Sequence, residues 1–115
     1  MVTKMQKNEF MDDYNRWAGM SFPREKADHD DVYDIRYDLY EVDMNLAGSF
    51  IRLVQLDFKD IDSDIDDEEL RSLLNRAKAL RSKVGENDMK IIDNYISRME
   101  VLLRMCTKYK QLSHS

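Results

Sequence analysis

Four carboxylates, Asp31, Asp34, Asp38 and Glu41, follow one another at steps of three, four and three residues. On a 3.6-residue helix that spacing sets them in one stripe. Carboxylates arranged this way do one of two things. They hold magnesium for phosphate-bearing substrates when a second carboxylate cluster faces them, or they present a fixed negative surface to a basic partner. The third and fourth helices predicted below offer only Glu86, Asp88, Asp93 and Glu100, with no second pair at matching depth. A magnesium-dependent all-α nucleotide hydrolase is therefore the subordinate reading.

Other chemistries lack their residues. His29 and His114 have no further histidine or cysteine at metal-ligand spacing, and no Glu-x-x-His pair supports a di-iron bundle. The three glycines, at 19, 48 and 85, are too scattered to cradle a phosphate. No serine sits in a nucleophile-elbow context. Asp60-Ile61-Asp62-Ser63-Asp64 opens like a calcium loop, but Ile65 occupies the sixth position, where glycine is needed, and Arg71 the twelfth, where glutamate is needed. The reading assigns no catalytic, cofactor-binding or metal-ligating residue, and it expects a non-enzymatic protein without a cofactor.

Beside the acidic stripe runs a row of Tyr33, Tyr37, Tyr40 and Met44, continued by Ala47 and Ile51. Tyrosine and methionine combine large contact area with adaptability and are enriched at protein interfaces. The candidate partner-binding set is thus Tyr33, Asp34, Tyr37, Asp38, Tyr40, Glu41 and Met44. The competing expectation is that the tyrosine row packs on Phe10, Tyr14 and Trp17. The function expected is regulation, adaptation or inhibition by contact with another protein, one with a basic surface. An alternative is that the carboxylates imitate a nucleic-acid backbone and inhibit a DNA- or RNA-binding protein. Direct nucleic-acid binding is disfavoured by the formal net charge of -5.

These residues need a helix to carry them. Val32, Ile35, Leu39, Val42, Leu46, Ser49, Leu53 and Leu56 recur at helical spacing, which predicts a long central helix over Asp31 to Phe58 with a wide apolar face. Its 28 residues would reach about 42 Å, enough to overhang a monomeric bundle and to point toward a homodimer. Gly48 costs a helix interior about 1 kcal/mol, so a close neighbouring helix is expected there, or else a bend or full break into two helices, or a functional surface.

Phe10, Tyr14, Trp17 and Ala18 predict a short first helix over Glu9 to Ala18, with Asp12, Asp13 and Arg16 turned away and Gly19 as its left-handed terminator. Trp17-Ala18-Gly19 shares the W-x-G tripeptide of small secreted helical-hairpin proteins, where it forms the turn between two long helices. Here it ends a short first helix, and no family follows from it. Ser21 to Asp30 is a connection with Phe22 tucked inward, and Asp28, Asp30 or Asp31 is expected to cap the central helix. Asp64 or Asp66 caps a third helix over Leu70 to Val84, stopped by Gly85. A fourth helix begins at Glu86 or Asn87, antiparallel to the third, and ends by Leu112.

The expected architecture is all-α, an up-and-down four-helix bundle in a single domain spanning 1–115, with residues 1–8 and 113–115 frayed. One cysteine makes no internal disulfide, and Cys106 falls on an apolar face as a small core residue. The absence of a membrane-spanning or signal-length apolar run predicts a cytoplasmic protein without membrane contact. Charge divides sharply along the chain. Residues 1–69 carry 19 acidic and 8 basic side chains, net -11, whereas residues 70–115 carry 4 and 10, net +6. The basic last helices are expected to pack against the acidic first ones.

Overall fold

The computed structural model describes residues 2–59, 61 and 65–113. Four helices make up its regular structure: α1 (Lys4–Gly19), α2 (Asp30–Gln55), α3 (Glu68–Arg81) and α4 (Glu86–Ser113). Their directions follow from the pairings between them. Asp13 of α1 meets Arg104 and Lys108 of α4, and Met20, just past α1, meets Arg98, so these two helices run antiparallel. Arg81 pairs with Asp93 and Asp67 with Lys110, which sets α3 antiparallel to α4. Asp43 meets Arg98 while Phe50 packs on Tyr109, so α2 and α4 are parallel. The result is an up-and-down four-helix bundle in which α4 touches all three other helices.

Helix ends differ from the sequence expectation for local reasons. Residues 4–8, expected to fray, are helical because Thr3 and Gln6 form a capping box: Thr3 Oγ1 accepts the Gln6 N–H at 3.1 Å, and Gln6 Oε1 accepts the Thr3 N–H at 2.8 Å. Gly19 is the last residue of α1, no glycine has positive φ among the described residues, and extended Met20 ends the helix by donating its N–H to Trp17. His29, rather than an aspartate, caps α2, its Nδ1 accepting from the Asp31 N–H at 3.1 Å. At the other end α2 stops at Gln55, short of Phe58. Asp57 and Phe58 turn left-handed, at φ 51° and 61°. Phe58 N–H donates to Leu53 and Asp57 N–H to Val54, a Schellman closure without glycine that drives Phe58 into the core against Phe10.

Asp66 accepts the Glu68 N–H at 2.9 Å at the start of α3. α3 lies earlier than expected and ends at Arg81, and the Gly85 carbonyl accepts the Met89 N–H at the first turn of α4. Asp60, Asp62, Asp64 and His114, which entered the metal readings, lie outside the described residues.

The core is built from Phe10, Leu39, Phe50, Leu53, Leu70, Leu73, Ile92, Tyr95, Met99 and Leu102. Each large apolar side chain buried there contributes about 1.5–3 kcal/mol. Cys106 sits among them, and burial pushes its thiol up to about 12, which suits a packing residue. Ion pairs join the two charge halves: Asp13 with Arg104 and Lys108, Asp38 with Arg76, Asp43 with Arg98 and Asp67 with Lys110. Burial works against ionising Asp67, yet the bonds from Lys110 and Arg71 hold its carboxyl below the usual range. Asp13, expected to point away, is buried between Phe10 and Trp17, at steps of three and four. Among the described residues no helix is long and apolar enough to cross a membrane.

α2 runs unbroken through Gly48, and a Cβ built there meets nothing within 4 Å. Neither a break into two helices nor a neighbouring helix in the chain accounts for the glycine. Gly48→Ala is therefore expected to stabilise the dilute protein by about 0.5–1 kcal/mol in urea unfolding. A loss of stability would mean that something approaches this position.

Candidate functional site

The seven candidate residues on α2 separate into an outer face and a cleft. Tyr33, Tyr37, Tyr40 and Met44 lie side by side on the outer face and are 38%, 63%, 54% and 58% exposed. The expectation that this row packs on Phe10, Tyr14 and Trp17 is overturned. α1 reaches α2 on another flank, through Phe10 on Phe50 (ring centroids 5.7 Å apart) and the Trp17 Nε1 bond to Asp43 (2.7 Å). Positions 43 and 50 point roughly a third of a helical turn away from 37 and 44, so α1 never covers the tyrosines.

Asp34 and Glu41 border the tyrosine row. The neighbouring Glu41 carboxylate, as a hydrogen-bonding group and as a negative charge, raises the Tyr37 hydroxyl above its ordinary value. Asp38 turns toward α3 and pairs with Arg76 at 2.8 Å. It lines a cleft of about 300 Å³ with Glu41, Glu69 and Ser72. Glu69 is the carboxylate facing the stripe from across the cleft. No group of three or more His, Cys, Asp or Glu side chains among the described residues is arranged to hold a metal ion.

On the other flank, a groove of about 590 Å³ opens between α2, α4 and the connection that joins α1 to α2. Phe22 stands edge-on to Tyr40 (6.1 Å) and tilts against Tyr95 (5.6 Å), forming its apolar floor. The Arg36 guanidinium lies 5.0 Å over the Tyr33 ring, donates from Nη2 to the Glu25 carbonyl at 2.6 Å and from Nε to the Tyr95 hydroxyl. Tyr33 in turn donates to the Ala27 carbonyl (3.2 Å) and accepts the Ala27 N–H (2.9 Å). Arg24 stands exposed at the rim.

Beneath the groove lies a buried node. Asp43 accepts from Trp17 Nε1 at 2.7 Å and from Arg98 Nη2 at 2.8 Å. The Arg98 guanidinium stacks over Phe22 and Trp17, at 5.5 and 5.7 Å, and its Nη1 reaches the Met20 carbonyl at 3.3 Å. Its Nε is buried without a hydrogen-bond partner. A second anchor fixes the far end of the connection: Asp88, buried at the start of α4, accepts the N–H groups of Asp28 (2.9 Å) and His29 (2.7 Å). Sequence reasoning missed Arg36, Asp43, Asp88 and Arg98. The available signal was a charged residue at core spacing, such as Arg98 between Tyr95 and Leu102.

Compared with known protein families, with curated proteins and with solved structures, the chain finds no match in any of the three. What its site does is argued from its own residues.

Removing one member of a buried pair leaves the other charge unsatisfied, so Asp43→Ala is expected to cost about 3–5 kcal/mol of unfolding free energy. Asp93→Ala, which breaks an exposed pair, should barely move it. Equal effects of the two in chemical denaturation would mean that the node does not hold the bundle together.

Proposed function

We propose that this protein acts by binding another macromolecule through the outer face of α2, as a regulator, adaptor or inhibitor, and that it carries out no catalysis. The observation behind this reading is the exposure of Tyr37, Tyr40 and Met44 side by side on a helix whose other flanks are packed. Folding gains little from large side chains left in water, whereas such residues in a contiguous row are what contact surfaces use. Asp34 and Glu41 at the border favour a partner with basic groups around an apolar centre. Direct nucleic-acid or membrane binding does not fit this acidic aromatic surface. A single, buried thiol and no disulfide are in keeping with a cytoplasmic setting.

Nucleic-acid mimicry is the weaker form of the same idea. Asp38 is already neutralised by Arg76, and Asp31 and Asp34 share their cleft with Arg76 and Lys83, so the stripe does not offer an unbroken run of negative charge.

Tyr37→Ala and the double change Asp34→Lys, Glu41→Lys are expected to leave the melting temperature within about 3 °C of the parent while abolishing capture of the protein's binding partner from host extract. A melting temperature lowered by well over 5 °C with capture intact would assign the row to packing and contradict the proposal.

A further inference from the structure

The outer face of α2 is self-complementary, and we infer that its occupant is a second copy of this chain, bound through α2 against α2 in antiparallel register. The inference rests on the contact reading above and names the partner of that same surface. Three observations on one helix lead to it.

The first is the unexplained glycine. Gly48 lies on the exposed face with open space around it, although glycine weakens a helix interior. Glycine in such a place lets another backbone or a large side chain come close. Nothing in the chain does so.

The second is size. The first half of the face carries Tyr33, Tyr37 and Tyr40, and the second half carries Ala47, Gly48 and Ile51, with Gly48 the gap in it. A twofold axis level with the Val42–Asp43 peptide bond pairs position 37 with 48 and 33 with 52. The most exposed tyrosine, Tyr37, then sits over the second copy's Gly48, and the reverse contact repeats it, as a twofold interface requires.

The third is charge. Residues 30–43 hold six acids and one base, whereas residues 44–56 hold Arg52 and no acid. Antiparallel pairing sets the acidic half of each copy against the half of the other that carries no acid. It also opposes the two helix dipoles. A parallel pair would align like charges along the whole face.

The area sets the strength. A helix of 26 residues spans about 39 Å and is about 10–12 Å across, so α2 alone covers roughly 400–450 Å² per copy against the about 800 Å² of a standard interface. Association is therefore reversible and depends on concentration.

Sedimentation equilibrium over a wide concentration range tests this. The parent chain is expected to pass from monomer to dimer, and Gly48→Leu, which fills the gap while improving helix propensity, to weaken the dimer at least about tenfold with an undiminished melting temperature at low concentration. A mixture of Tyr37→Cys and Gly48→Cys chains, oxidised together, should give mainly the mixed disulfide. A parent chain that stays monomeric throughout, an unaffected Gly48→Leu dimer, or disulfides formed mainly between identical chains would each overturn the inference. If the parent is monomeric but Tyr37→Ala still abolishes capture of a different macromolecule, only the second-copy assignment falls; if Tyr37→Ala captures as the parent does, the contact reading falls with it.

Discussion

Asp43 holds three parts of the chain at once. Its two carboxylate oxygens take the indole N–H of Trp17 from α1 and a guanidinium N–H of Arg98 from α4, and Arg98 also reaches the backbone where α1 ends. Taking a carboxylate and a guanidinium out of water is costly unless each finds good partners, so few other arrangements of these helices satisfy them. The pair consequently does more to specify the arrangement than to add net stability. It draws α1 onto the flank of α2 that carries positions 43 and 50, and leaves positions 37, 40 and 44 open.

The connection between α1 and α2 completes that division. Asp88 pins its end through two backbone N–H groups, Tyr95 donates to the Pro23 carbonyl at 3.1 Å, and Arg36 clasps the Glu25 carbonyl. Burial raises the Tyr95 hydroxyl above its ordinary value, opposed by the bond from Arg36, in keeping with a phenol kept neutral as a structural link. With α1 on one flank, α3 on another and the connection along a third, the outer face of α2 is the part of that helix the fold leaves uncovered. The exposed face is thus a by-product of where the buried polar groups oblige the other elements to go.

Much of this was legible in the sequence. Apolar spacing located all four helices, and the opposite charges of the two halves foretold the ion pairs that join them. The helix ends are harder to read, because caps depend on local geometry: Thr3 with Gln6 fits the capping-box signature, while the left-handed turn at Asp57 and Phe58 carries no glycine to announce it. The candidate site was half legible. Its residues are candidates from type and spacing alone, and whether Tyr37 faced α1 or water depended on Asp13, Asp43, Asp88 and Arg98. A charged side chain within an apolar row reads as solvent-facing until its partner, 55 residues away for Asp43 and Arg98, is known. Long-range pairing of this kind decides which face of an amphipathic helix is covered, and a single sequence does not show it.

The central claim is that the outer face of α2 is open in the folded chain and closes on association. Two methionines allow a direct measurement: Met44 on that face is 58% exposed, and Met5, on α1, is 70% exposed. Limited peroxide oxidation, which converts accessible methionine to its sulfoxide, can be followed by mass spectrometry at low and high protein concentration. The account predicts that Met44 and Met5 oxidise comparably when dilute and that Met44 alone becomes protected as concentration rises. Protection of Met44 already in the dilute chain, or equal rates for both residues at every concentration, would contradict it.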